Sequence, residues 1–184
     1  MKVTKVTGLF LVLGLGLSLS ACATATVQRD MLQNARMSYT AIVVGEFSTN
    51  DELWQPYALG AKRGLSAKLV ESKMFAQVID QPAVSPPTNA VVVTARVTEA
   101  DKGSAAARWI IGFGAGRAHI TSQVQLADPN GTVLGNFTVR RAYSGGAGIG
   151  GAGFLDMDDL AKLLGEEAAN TIVAWAKTGS VPTR

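Results

Sequence analysis

The chain has 184 residues, 47% of them hydrophobic and 17% charged, with a formal charge of +3 from 17 basic and 14 acidic side chains. Lys2 and Lys5 lie in a leader that reads as removable, so the mature chain keeps 15 basic side chains against 14 and is close to neutral once its amino terminus is blocked. It shows no basic stripe, which removes the electrostatic footing for nucleic-acid binding, and the remaining length suits one domain rather than two.

The first segment begins Met1-Lys2-Val3-Thr4-Lys5 and continues into a short apolar run from Leu9 to Leu19, broken by Gly14, Gly16 and Ser18. A charged start, a short apolar stretch and a small-residue exit describe a secretory signal. The run falls short of the ~20 apolar residues of a membrane span. Its exit is Leu19-Ser20-Ala21-Cys22, and Cys22 is the only cysteine. This resembles the bacterial lipobox, whose cysteine receives a diacylglycerol before cleavage and a further acyl chain, such as palmitate, afterwards. Residues 1–21 are therefore expected to be a lipoprotein signal peptide and Cys22 the lipidation site. Two or more chains make such an anchor stable where one does not. Ala23 stands where an Asp favours retention at the inner membrane, so the resemblance implies the outer membrane of a Gram-negative cell, with the domain facing the periplasm. In a cell with one membrane it implies a lipid anchor there. Residues 22–37, small and polar, read as a lipidated terminus and tether, and residues 38–180 as a single domain.

Within that domain, Tyr39 to Phe47 reads as a buried strand. Ser48 to Asp51 follows with turn chemistry, and Pro56 suits the first turn of a helix running to Ser72 or Lys73. Ala58, Ala61, Leu65 and Leu69 share one face of that helix, and Lys62, Arg63, Lys68 and Lys73 are expected on the others. Phe75 to Asp80 is a short strand, giving a β-α-β start. After a Pro-rich loop, Ala90 to Glu99 alternates with Val91, Val93, Ala95 and Val97 inward. His119 to Ala127 alternates likewise, with Ile120, Ser122, Val124 and Leu126 inward. Asp128-Pro129-Asn130-Gly131 is a turn signal. The partner strand, Thr132 to Tyr143, places Val133, Phe137 and Val139 on one face. A last helix runs from Asp156 to about Lys177 with an apolar stripe of Leu160, Leu163, Leu164, Ala168, Ile172 and Trp175, capped by Asp156. The expected fold is α/β (α+β): a mixed or mainly antiparallel sheet of about 4–5 strands with two main helices packed on it.

Two glycine-rich segments stand apart. Gly103 to Gly116 contains Trp109, Ile110, Ile111 and Phe113, which either tuck under the domain edge or form a surface for a membrane, a partner or a second copy. Gly145 to Gly153 holds a formal G-x-G-x-x-G. Its helix is followed by no further strand and begins with Asp156, Asp158 and Asp159, so a pyrophosphate site is rejected.

His119 is the only histidine. With Cys22 taken by lipid there is no donor set for zinc, and neither a metal nor a cofactor is expected. His119 beside Ser104 or Ser122 lacks a nucleophile elbow, and the acidic pairs Asp158-Asp159 and Glu166-Glu167 are helix neighbours that do not face each other. No catalytic residues are assigned and the chain is not expected to be an enzyme.

The lipobox, the strand Ala41–Phe47, the Phe75-Ala76-Gln77-Val78 segment, the strand Val91–Val97 and above all Arg108-Trp109-Ile110-Ile111-Gly112-Phe113-Gly114-Ala115-Gly116 resemble the bacterial lipoproteins grouped as domain of unknown function 4410. The layout is also similar in plan to the N-terminal domain of the translocation protein TolB, a likeness at fold level only. The DUF4410 resemblance brings no activity with it; the lipobox, the lack of a catalytic constellation and the layout shared with envelope-assembly domains lead to the expectation of a non-enzymatic interaction or envelope-assembly module, held to the membrane by lipid, that binds another envelope protein or self-associates. The alternative is a small-ligand or lipid-binding periplasmic domain, with a hydrolase the weakest reading.

Overall fold

A computed structural model describes residues 24–32, 39–80, 85–103, 117–143 and 156–178. The elements are β1 (Thr24–Leu32), β2 (Ala41–Thr49), a 3-10 turn (Glu52–Trp54), α1 (Gln55–Ser72), β3 (Gln77–Asp80), β4 (Ala90–Asp101), β5 (His119–Ala127), β6 (Val133–Ala142) and α2 (Met157–Thr178). The six strands form one mixed sheet in the order β1-β6-β5-β4-β2-β3. Strand β2 pairs parallel with β3 and β4, and the β4–β5–β6–β1 side is antiparallel. The α+β class, the β-α-β start, the hairpin and the final helix match the sequence reading.

The sixth strand is the difference. Residues 22–37 read as tether, yet Thr24–Leu32 pairs with β6 from Thr24↔Ala142 to Leu32↔Gly135. Without it β6 would be an open edge with a full row of unpaired backbone groups. The segment is short of large apolar side chains because an edge strand buries little: Val27 packs on the core while Ala25, Thr26 and Gln28 are exposed.

Both helices lie on one face of the sheet. Beneath them the core gathers Ile42, Val44, Val91, Val93, Ile120, Val124, Leu126, Phe137 and Val139 from the strands and Leu65, Leu69, Leu160, Leu164, Ile172 and Trp175 from the helices. Leu163 is only half-buried, and Leu134 rather than Val133 packs on the core, because the β5–β6 register shifts between Leu126 and Ala127. Asp156 caps α2 as expected, its carboxylate accepting from the Asp158 N–H at 3.5 Å. Lys73, in the left-handed conformation at φ 51°, ends α1. Lys62 departs from the sequence reading. It is 8% exposed, and its Nζ reaches Asp80 Oδ1 at 2.7 Å. The long stem covers apolar surface while the ammonium emerges at the β3 edge.

The helices touch through glycine. A Cβ on Gly64 would lie 2.2 Å from the Lys162 carbonyl oxygen, and one on Gly165 would lie 1.9 Å from that of Ala61. A Cβ on Gly60 would lie 3.1 Å from Ala161 Cβ, within reach of a small adjustment. Matched pairs rise together along both helices, so α1 and α2 run parallel. Gly60, Gly64, Ala161, Gly165 and Ala169 form small-residue rows spaced by four, which let two backbones approach closely.

In an open helix position Gly→Ala stabilises by up to ~1 kcal/mol. Here the sign should reverse. Gly165→Ala and Gly64→Ala should each destabilise by about 3 kcal/mol, the upper range for overpacking, while Gly60→Ala should be nearly neutral. Thermal unfolding of the three variants checks this, and equal melting temperatures would contradict the close crossing.

Candidate functional site

The face of the sheet away from the helices is open and polar. Strand alternation places Ser48, Thr94, Gln123, Gln125 and Asn136 there, together with Arg96. They line a groove of about 580 Å³ whose floor also includes Glu46. At the β3–β2–β4 corner the same face becomes apolar, with Ala41, Val43 and Ala90 buried and Ile79 and Val92 packed against them.

Two β-bulges set the charges on this face. In β2 the register shifts between Val44 and Phe47, so Ile42 and Val44 point to the core, and so does Phe47. Gly45 sits in the bulge, where a Cβ would meet Thr94 Cγ2 at 3.0 Å. The following Glu46 turns to the groove. In β4 Val91, Val93, Ala95 and Val97 all face the core, and strict alternation would send Glu99 there as well. A shift between Val97 and Glu99 turns it outward, opposite Thr121. Re-aiming a side chain in this way is a common use of a bulge.

Glu99 then gathers a polar cluster. Its Oε1 lies 2.9 Å from His119 Nε2, and its Oε2 accepts from Thr121 Oγ1 at 3.1 Å and Arg140 Nη1 at 3.3 Å. The His119 Nε2 approach is close but lies off the N–H axis, so it is not an aligned hydrogen bond. The other ring nitrogen, Nδ1, lies 3.1 Å from the Arg117 carbonyl oxygen. The His119 ring holds the Glu99 carboxyl below the usual glutamate range, helped by Thr121 and Arg140 and opposed by partial burial. Ser122 is not part of this cluster: it faces the helices and donates to the Arg96 carbonyl at 3.0 Å. Thus His119 meets the Glu99 carboxylate and the Arg117 carbonyl, and not Ser122.

Several sequence-assigned positions lie outside the described residues: Cys22, Ser104, the Trp109, Ile110, Ile111 and Phe113 surface, and the Gly145–Gly153 run. Their flanks are informative. Asp101, His119, Ala142 and Thr24 share one row across the sheet. The chain therefore enters from Cys22, leaves toward 104–116 and leaves toward 144–155 at the same end of the sheet. Among the described residues no group of three His, Cys, Asp or Glu could hold a metal, and no helix is long and apolar enough to cross a membrane. Sequence reasoning missed Glu99 and Arg140. The available signal was a glutamate in phase with four inward apolar residues.

The Glu99 cluster gives a pH prediction. Its folded-state pKa is depressed, so its contribution is present above the unfolded value of ~4.3 and is lost as pH falls through the folded value. Glu99→Gln should cost less than about 1 kcal/mol near neutrality, the scale of a half-exposed ion pair. The stability gap to wild type should close during acid titration below the ordinary glutamate range. A gap that persists unchanged to the acid limit of folding would contradict the cluster.

Comparison with known proteins agrees with this fold. The PelC dodecamer from Paraburkholderia phytofirmans, in space group P6, superposes with a TM-score of 0.54 at 15% identity, covering 79% of this chain and 96% of that one. A point variant of the same dodecamer, in space group C2, gives a TM-score of 0.51 at 13% identity, covering 80% and 95%. A search of curated proteins finds no match. The family model described as Domain of unknown function (DUF4410) matches residues 61–147, from the second turn of α1 through β3, β4, β5 and β6. The match over residues 61–147 supports membership of the DUF4410 family.

Proposed function

We propose that this protein is a non-enzymatic lipoprotein of the bacterial outer membrane, acylated on Cys22, facing the periplasm and acting as an envelope interaction module that self-associates. The observation that carries the reading is the sequence Leu19-Ser20-Ala21-Cys22 at the end of a short apolar run with a basic start. That pattern is a signal peptide rather than a span. Acylation at Cys22 would hold an otherwise nearly neutral α+β domain on the bilayer through its chains alone. Self-association is supported by the likeness of fold to PelC, which is described as a dodecamer.

A second reading, binding of a small polar ligand, is favoured by one feature. The open-face groove of about 580 Å³ falls in the size range of ligand sites. Its lining of amides and hydroxyls around Arg96 would suit a ligand that carries hydrogen-bonding groups and an anion.

The anchoring is tested in cells by replacing Cys22 with Ser. Wild type should incorporate labelled palmitate and fractionate with the outer membrane. Cys22→Ser should lose the label, retain the leader and change fraction. Unaltered processing and fractionation would overturn the reading. Chemical crosslinking of the acylated protein in intact cells should give a ladder of multiples of its own mass. A monomer at every crosslinker dose would remove self-association and leave the ligand reading.

A further inference from the structure

We propose that the sheet end carrying Thr24 docks against the lipid surface, with the strands standing along the bilayer normal and the open polar face turned sideways. This rests on the anchoring of Cys22 proposed above. What the structure adds is the length of free chain. One residue, Ala23, separates Cys22 from Thr24, which is already in register with Ala142 of β6. Two residues reach at most ~7 Å. That is about the thickness of one headgroup layer, since a bilayer of ~40–45 Å has a hydrocarbon core of ~30 Å. The row Thr24, Ala142, His119 and Asp101 is thereby held at the membrane.

A flexible tether through residue 37 would behave differently. Sixteen coil residues have an end-to-end distance of about 20–24 Å and impose no orientation. Pairing of β1 with β6 removes that freedom, because a chain paired at eight positions along its neighbour cannot also be slack.

The holding force is the short chain and not charge. Lys102 and Arg117 flank the row at this end, alongside Asp101. The helix layer brings acid to the same end: α1 follows the C-terminal end of β2 with Asp51 and Glu52 before it, and the parallel α2 begins with Asp158 and Asp159. These charges oppose one another, so docking should respond little to anionic lipid content. The opposite end is the β5–β6 hairpin tip, Asp128 to Gly131. It lies a strand length away, about 30 Å for the nine residues of β5.

The test uses the acylated protein in vesicles of phosphatidylethanolamine and phosphatidylglycerol containing a headgroup-labelled quencher. Cys22 is blocked by its thioether, so a thiol-reactive fluorophore reports only an introduced cysteine. Arg117→Cys and Asn130→Cys place it at the two ends, both on exposed side chains. Emission at position 117 should fall about twofold or more while that at 130 stays unchanged, given the ~30 Å between them. A ten-residue Gly/Ser insertion between Ala23 and Thr24, reaching about 16–19 Å, should make the two positions alike. Equal quenching at 117 and 130 without the insertion, in protein that Cys22→Ser releases from membranes, would overturn the orientation and leave the anchor standing. Membrane association that survives Cys22→Ser would remove the anchor and the docking together.

Discussion

The close crossing of α1 and α2 is the constraint on which the architecture depends. Gly64 and Gly165 admit backbone carbonyls at distances no side chain tolerates. With the helices this close, both fit on one face of the sheet, above the core of Ile42, Val93, Ile120, Phe137 and Val139. Among the described residues no layer covers the other face. Its polar rows, the groove and the Glu99 cluster all follow from that one-sided packing. The parallel helices also place both N-termini, with Asp51, Asp158 and Asp159 near them, at one end, where acidic side chains complement the helix dipoles.

That same end receives the chain from Cys22. A lipid-anchored domain on a long tether samples many orientations, and any face can meet any partner. A domain whose edge strand starts two residues after its anchor has one end committed. The groove then lies along a wall perpendicular to the membrane, and neighbouring copies standing side by side would meet along their flanks. The orientation thus rests on two separate observations, the lipobox at Cys22 and the pairing of β1 with β6.

Much of the fold is legible in the sequence, for reasons that differ by element. Strands β4 and β5 announce themselves by alternation because one face is dry and the other wet. The hairpin is written in Asp128-Pro129-Asn130-Gly131: the Asp128 carboxylate accepts from the Asn130 and Thr132 N–H groups, and Gly131 takes φ 87°. Those bonds also depress the Asp128 pKa. Helix α2 shows its stripe because it buries large residues. Helix α1 is harder to read, since it buries glycine and alanine against α2 and leaves Leu59 and Val70 exposed. Its buried Lys62 resembles any surface lysine until Asp80 is placed beside it. Strand β1 was illegible because its stability comes from pairing with β6, a contact more than a hundred residues away in sequence. The candidate site was the least legible part. Glu99 reaches His119 only through a bulge, and a period-two pattern carries no mark of where its phase will slip.

Placement at the membrane depends on acyl chains at one sulfur and on the sheet that starts immediately behind it. Intact-protein mass spectrometry of the membrane-extracted chain addresses this most directly. The mature protein should begin at Cys22 and be heavier than its polypeptide by a diacylglyceryl group and an amide-linked acyl chain. A mature chain of bare polypeptide mass, or one beginning at any other residue, would contradict it.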